Sequence, residues 1–352
     1  MFRTKQGVAL KDLIESKGED GAIRVIKDTL ESGKMRPEDF SLRELWYATE
    51  GLTPVSEAVA SSAFPKITGE LISSKIISAY DMVKKIGDML VTTIPSNVQV
   101  ETIAGMTEVE MPEEVGEGGE YKDSTFTEKY VTAQNIKYGR MCSVTEEAVY
   151  FDKLGQILVR AKRIGQKAAI YKEKLIVEGV QDVNSNVYRP SGTPTAFYAS
   201  GHGNTASAAF GESGLETITK LMHQQTDDSL GTDPIYIDED NLLVIVPKDL
   251  EVEAWQMANS TLTPESAENA ANFYKGRFAV VTSPFVTAQS ATVWYIGNFN
   301  EDFVWTEVWP LQTMIQTPGT DYQFTRDIKA RVKCRMYGSI AAVDYRHSYK
   351  AT

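Results

Sequence analysis

Between Leu154 and Leu175 the apolar residues Leu154, Ile157, Leu158, Ala161, Ile164, Ala168, Tyr171 and Leu175 recur at helical steps, with no proline among them. At 3.6 residues per turn these positions form one stripe, so the pattern predicts a single helix over 152–178, stopped at Gly179. Such a helix is about 40 Å long, more than the width of a small domain, and the rest of the chain must be arranged along it. Its polar side carries Lys153, Arg160, Lys162, Arg163, Lys167, Lys172 and Lys174 against Asp152, Glu173 and Glu178. That face is net positive in a chain of formal net charge -12.

The flanking patterns are of several kinds. KITGELISSKIISAYDMVKKIGDMLVTTIPS predicts an amphipathic helix through Ile67, Leu71, Ile72, Ile76, Tyr80, Val83, Ile86 and Leu90, ended by Pro95. From Asn97 to Cys142 the period changes to two, which predicts a long hairpin with an acidic tip at Glu108, Glu110, Glu113, Glu114, Glu117 and Glu120. A lone two-stranded ribbon is marginally stable in water, so this one is expected to lie on another surface. Residues 1–50 read as short helices broken by turns, with a capping box at Ser41 and Glu44 and another downstream at Ser143 and Glu146. Residues 181–213, rich in Asn, Ser, Gly, Pro and Ala, read as irregular and coreless, and 214–313 alternate helix and strand as an α+β lobe. In TRDIKARVKCRMYGSIAAVDYRHSY, Ile328, Ala330, Val332 and Cys334 alternate with a ladder of Lys329, Arg331, Lys333 and Arg335, a half-buried strand; a second strand is expected to return beside it from Ser339.

A length of 352 residues with 42% hydrophobic residues predicts two lobes with a substantial core. No apolar run is long enough for a membrane span and the start lacks a signal-peptide core, so neither insertion nor secretion is expected. Cys142 and Cys334 lack metal-ligand or redox spacing and read as reduced core thiols. The acidic balance argues against a free-standing nucleic-acid binder, which needs a basic footprint, and leaves contact with DNA through local basic stretches open.

Catalytic patterns are missing. His202, His223 and His347 stand in no metal-ligand spacing, so no metal or cofactor is expected. His223 with Asp227 and Asp228 reads as a solvated helix face, and GHGN at 201–204 and GESG at 211–214 read as turns because neither ends in GK[ST]. The acidic tip lacks a calcium-loop pattern and reads either as a solvated loop or as the partner of a basic surface on another subunit.

The order of these elements, and the wording of KITGELISSKIISAYDMVKKIGDMLVTTIPS, RMCSVTEEAVYFDKLGQILVRAKRIGQKAAIYKEKLI and KARVKCRMYGSIAAVDYRHSY, resemble tailed-bacteriophage major capsid proteins of the Hong Kong 97 type, including Mu-like prophage head subunits. The resemblance covers about residues 35–350. It implies an α+β fold with an N-terminal arm (1–66), a peripheral-domain helix (67–96), an extended hairpin loop (97–142), a spine helix with peripheral domain (143–213), an axial domain (214–313) and peripheral C-terminal strands (314–352). It also implies a structural protein, not an enzyme, whose hexamers and pentamers close into an icosahedral head around double-stranded DNA. Portal and scaffold proteins, and in some members decoration proteins, are the further partners, with assembly in the host cytoplasm.

In that fold the extended loop lies over the neighbouring subunit. The tip glutamates Glu108 to Glu120 are therefore expected to face a neighbour's Lys329, Arg331, Lys333 and Arg335. Arg160, Lys162, Arg163 and Lys167 on the spine helix are expected to face DNA. Some members join subunits through a lysine to asparagine link; Lys122 is the lysine this resemblance offers, and the sequence identifies no partner for it. The first fifty residues are expected to persist as an arm. The alternatives are an encapsulin-type shell around cargo proteins, told apart by absence of DNA, and a soluble enzyme, told apart by a small oligomeric state.

Overall fold

The computed structural model describes residues 2–32, 34, 40–50, 63–106, 114–118, 120, 121, 123, 128–151, 154–226, 234–237, 242–263, 271–316, 325 and 327–352. The first half runs α1 (Phe2–Glu31), α2 (Leu42–Glu50), α3 (Ala63–Asp81), α4 (Gly87–Leu90), β1 (Thr92–Pro95), β2 (Val100–Met106), β3 (Glu128–Gln134), β4 (Ile136–Thr145), α5 (Glu146–Tyr150) and α6 (Leu154–Val180). The second half runs β5 (Thr205–Ala206), α7 (Glu212–His223), β6 (Leu242–Val246), α8 (Glu251–Asn259), β7 (Phe278–Thr282), α9 (Pro284–Thr287), β8 (Trp294–Gly297), α10 (Phe299–Asp302), β9 (Phe303–Ile315), β10 (Ile328–Ala342) and β11 (Ser348–Ala351). These elements form two compact units, and α6, β9 and β10 each contribute residues to both.

The first unit comprises residues 1–84, 137–171 and 309–337. Its core joins Ile67, Leu71, Ile72 and Ile76 of α3 to Leu154, Ile157, Leu158 and Ala161 of α6, with Cys142 and Val144 of β4 and Ala330, Val332 and Cys334 of β10. Each such aliphatic side chain, fully buried, stabilises by about 1.5–3 kcal/mol. The expected alternation of β10 is present, with Ile328, Ala330, Val332 and Cys334 all buried. Both cysteines are free and buried. At Gly18 a φ of 69° breaks α1, in keeping with short helices at this end. The Ser41 cap is present, its Oγ accepting from Glu44 N–H at 3.2 Å.

The second unit comprises residues 85–136, 172–308 and 338–352. Its five-stranded sheet has the order β5-β11-β8-β6-β7. Strand β6, LLVIV, is buried throughout: Leu242, Val244 and Val246 enter one core, Leu243 and Ile245 the other. An unbroken apolar run is the composition of a strand covered on both faces. The two-stranded ribbon β2–β3 is antiparallel, from Val100 opposite Gln134 to Met106 opposite Glu128.

Several sequence expectations are corrected. The helix predicted through Leu90 ends at Asp81. Its later apolar positions serve a different core, Leu90 packing with Ile176 and Phe303, and Glu173 caps the new helix α4 by accepting from Ile86 and Gly87 N–H at 3.1 and 2.8 Å. The hairpin covers 100–134 rather than 97–142, because 136–145 turns away to pair with β10. Thr145, not Ser143, caps α5, and Ser143 instead accepts from Arg331 Nε. Gly179 does not stop α6; a Cβ there would lie 2.6 Å from Ile340, so close packing selects glycine, and the chain leaves the helix at Asp182 with φ 51°. The 181–213 segment is not coreless, since Phe197 is fully buried against Tyr188 and Phe303. The strand returning after β10 is β11, which pairs with β8 and β5 and not with β10.

Candidate functional site

Among the described residues, three charged surfaces and one buried cluster hold candidate chemistry. Of the tip glutamates, Glu114, Glu117 and Glu120 are exposed. Glu108, Glu110, Glu113 and Lys122 lie outside the described residues. Val131 and Ala133 are buried, whereas Thr102, in register between them, and Ala104, Lys129 and Tyr130 further out are exposed. The outer ribbon therefore presents an apolar and polar face that its own unit leaves uncovered.

The basic ladder of β10 is not uniform. Lys329 pairs with Glu146 at 3.6 Å and lies over the Trp46 ring at 5.3 Å. Arg331 donates to Ser143 at 3.2 Å. Arg335 stacks on Trp309 at 4.2 Å and donates to Gln312. Of the four, Lys333 alone is exposed, the others being half-buried.

Arg335 also lines a groove of about 790 Å³ in the first unit. Arg160, Arg163 and Lys167 form one wall from α6, and Lys137 and Arg140 of β4 stand with Arg335 on the other. Ile164, Leu311 and Met336 lie between, and Tyr138 meets Tyr171 edge-on at a centroid distance of 5.3 Å. Lys162 is exposed but not part of it. Tyr171, a member of the predicted apolar stripe, lines this groove instead, and no local pattern signals the groove. The stripe rotates because Gly165 meets the backbone of α3 at Ile76, which brings Ala169 inside and leaves Tyr171 40% exposed. Lys172, expected on the basic face, is buried in the second unit, 3.5 Å from Glu307 and over Trp305.

In the second unit, Asp302, Asp344 and His347 offer ligand atoms within 4.8 Å of one another, a grouping no local spacing signals. Asp302 is fully buried, facing His347 Nδ1 at 3.1 Å and accepting from the His347 backbone N–H at 3.2 Å. Arg346 neutralises Asp344 through Nε at 2.7 Å. Burial pushes the Asp302 carboxyl up. Burial alone would lower His347, but the Asp302 carboxylate, with Asp344 beside it, outweighs burial and the opposing Arg346, and holds it above its usual value.

A raised histidine pKa contributes stability that is present below the unfolded value of about 6.5 and lost as pH rises through the folded value. His347→Gln is therefore expected to cost about 3 kcal/mol near pH 5.5 and clearly less near pH 8.5, measured by denaturant unfolding. Equal losses at both would contradict a charged His347.

No helix among the described residues is long and apolar enough to cross a membrane. The sequence matches the phage capsid protein family over residues 129–351. In structure it is similar to the capsid subunit of a native GTA particle, with a TM-score of 0.51 at 9% identity over 77% of this chain and 91% of that one. It is also similar to the capsid of the cyanophage P-SCSP1u, with a TM-score of 0.50 at 10% identity over 76% and 88%. By sequence it matches none of the curated proteins.

Proposed function

The chain belongs to the phage capsid protein family, and from that membership we propose that its copies assemble as hexamers and pentamers into an icosahedral head enclosing double-stranded DNA. Its fold is the Hong Kong 97 type, it is a capsid shell protein, and its role is structural rather than enzymatic. The observation that carries the assembly reading is the outer ribbon, exposed on the subunit and ending in the acidic tip. A surface of that kind gains stability when a neighbour covers it.

On this reading the β2–β3 ribbon with its tip is the extended loop, α6 the spine, 214–313 the axial lobe and 314–352 the returning peripheral strands. The tip glutamates meet a neighbour's basic surface, where exposed Lys333 is the ladder residue best able to receive them. Portal and scaffold proteins are its further partners, and the particle is built in the host cytoplasm.

Nuclease treatment of particles purified from the producing cells tests the enclosure of DNA. Protected double-stranded DNA of constant length is the expected result. Closed shells holding only co-purifying proteins would replace the reading with an encapsulin-type compartment.

A further inference from the structure

The groove between α6, β4 and β10 gathers Lys137, Arg140, Arg160, Arg163, Lys167 and Arg335, with no carboxylate among the described residues of its lining. Elsewhere in the first unit a cation such as Lys329 has a carboxylate beside it, and the whole chain has 48 acidic residues against 36 basic ones. Six cations left together in so acidic a chain repel one another, and a bound polyanion relieves that repulsion.

We propose that this groove binds the phosphodiester backbone of nucleic acid, an inference that rests on reading the chain as a shell around a genome. The dimensions fit. From Arg160 to Lys167 the helix rises about 10 Å, and from Lys137 to Arg140 the strand advances about 10 Å. A nucleic-acid strand carries one charge per about 3.4 Å of axis, so each wall faces about three phosphates.

The aromatic pair decides between polyanions. An acidic peptide would use the cations alone, whereas a nucleic acid also offers bases, for which the faces of Tyr138 and Tyr171 are a stacking surface within a cationic groove. A groove of about 790 Å³ is too small to enclose a duplex. It admits the backbone edge of a duplex or an unpaired strand, and the contact is blind to sequence.

The test is fluorescence anisotropy on the full chain with a short labelled single strand, the matching duplex, and a peptide of residues 106–121, each over a salt series. The triple variant Arg160→Gln, Arg163→Gln, Lys167→Gln changes only exposed side chains. It is expected to weaken nucleic-acid binding about tenfold or more at about 50 mM salt. The slope of log affinity on log salt should fall by about 2 for the single strand or about 3 for the duplex. Lys75→Gln, an exposed cation of α3 outside the groove, should change binding less than about twofold.

Tighter binding of the single strand, reduced by Tyr171→Ala, assigns an unpaired strand. Equal or tighter duplex binding, insensitive to that change, assigns the backbone edge. A triple variant that binds nucleic acid like the unaltered chain overturns the proposal. So does triple-sensitive binding of the peptide without binding of either nucleic acid. Electron microscopy of the same variants separates the two claims: shells with no nucleic-acid effect remove the groove assignment alone, and absence of shells from the unaltered chain removes the assembly reading.

Discussion

Replacing Glu108, Glu110, Glu113, Glu114, Glu117 and Glu120 with lysine is expected to leave a folded subunit that forms no closed shells. Those of the six that the structure describes, Glu114, Glu117 and Glu120, are exposed, so the subunit's own cores do not depend on them. Placed against a neighbour's cations, however, six reversed charges convert attraction into repulsion, and like charges across an interface cost several kcal/mol per contact. Every subunit repeats the defect, so the yield of shells should fall about a hundredfold or more. Sedimentation gives the yield and thermal unfolding shows that the subunit remains intact.

The reverse variant must be chosen with care. Lys329 and Arg331 have partners in their own unit, so reversing them damages the fold, whereas Lys333 is free of that burden. Combining Lys333→Glu with the six lysines is expected to recover part of the assembly. Shells formed by the six-lysine variant at the normal yield would contradict the tip contact.

Gly165→Leu is expected to abolish folding of the first unit, and Gly165→Ala to destabilise it by about 3 kcal/mol. A Cβ at this position would lie 2.2 Å from the carbonyl oxygen of Ile76 and 3.1 Å from the Ala79 Cβ. The obstacle is backbone, which cannot rotate away as a flexible side chain can. Either α3 or α6 must shift, and both carry the Ile67–Ile76 and Leu154–Ala161 core with them. Interiors packed to crystal-like density transmit such a shift rather than absorb it. Guanidinium titration of the alanine variant should show a lower midpoint, and an unchanged midpoint would show that the two helices are not locked together here.

These two residues also mark how far the sequence could be read. The start of α6, the α3 stripe through Ile76 and the alternation of β10 were legible because each is a local period matched to one core. Past Ala161 the stripe drifts: Ile164 and Leu175 still pack on the cores, but the Gly165 approach to Ile76 accompanies a turn of the helix that buries Ala169 and exposes Tyr171. Past Asp81 the helical period continued on paper, but Ile86 and Gly87 give their N–H groups to Glu173, a residue 86 positions distant from Gly87. Lys172 read as solvent-facing until Glu307 supplied its counter-charge.

The charged surfaces show the same limit. Arg160, Arg163 and Lys167 were visible as one helix face, yet nothing local announced that Lys137, Arg140 and Arg335 would oppose them. Nor could spacing foresee Asp302 against His347, which are 45 residues apart. Long-range pairing created both, and period and composition carry no record of it.

Negative-stain electron microscopy with size-exclusion chromatography, on the chain expressed alone and with its neighbouring genes, tests the central claim most directly. Closed shells, or rings of five and six subunits eluting far ahead of the monomer, are the predicted result. A monomer or small compact oligomer under every condition would contradict it.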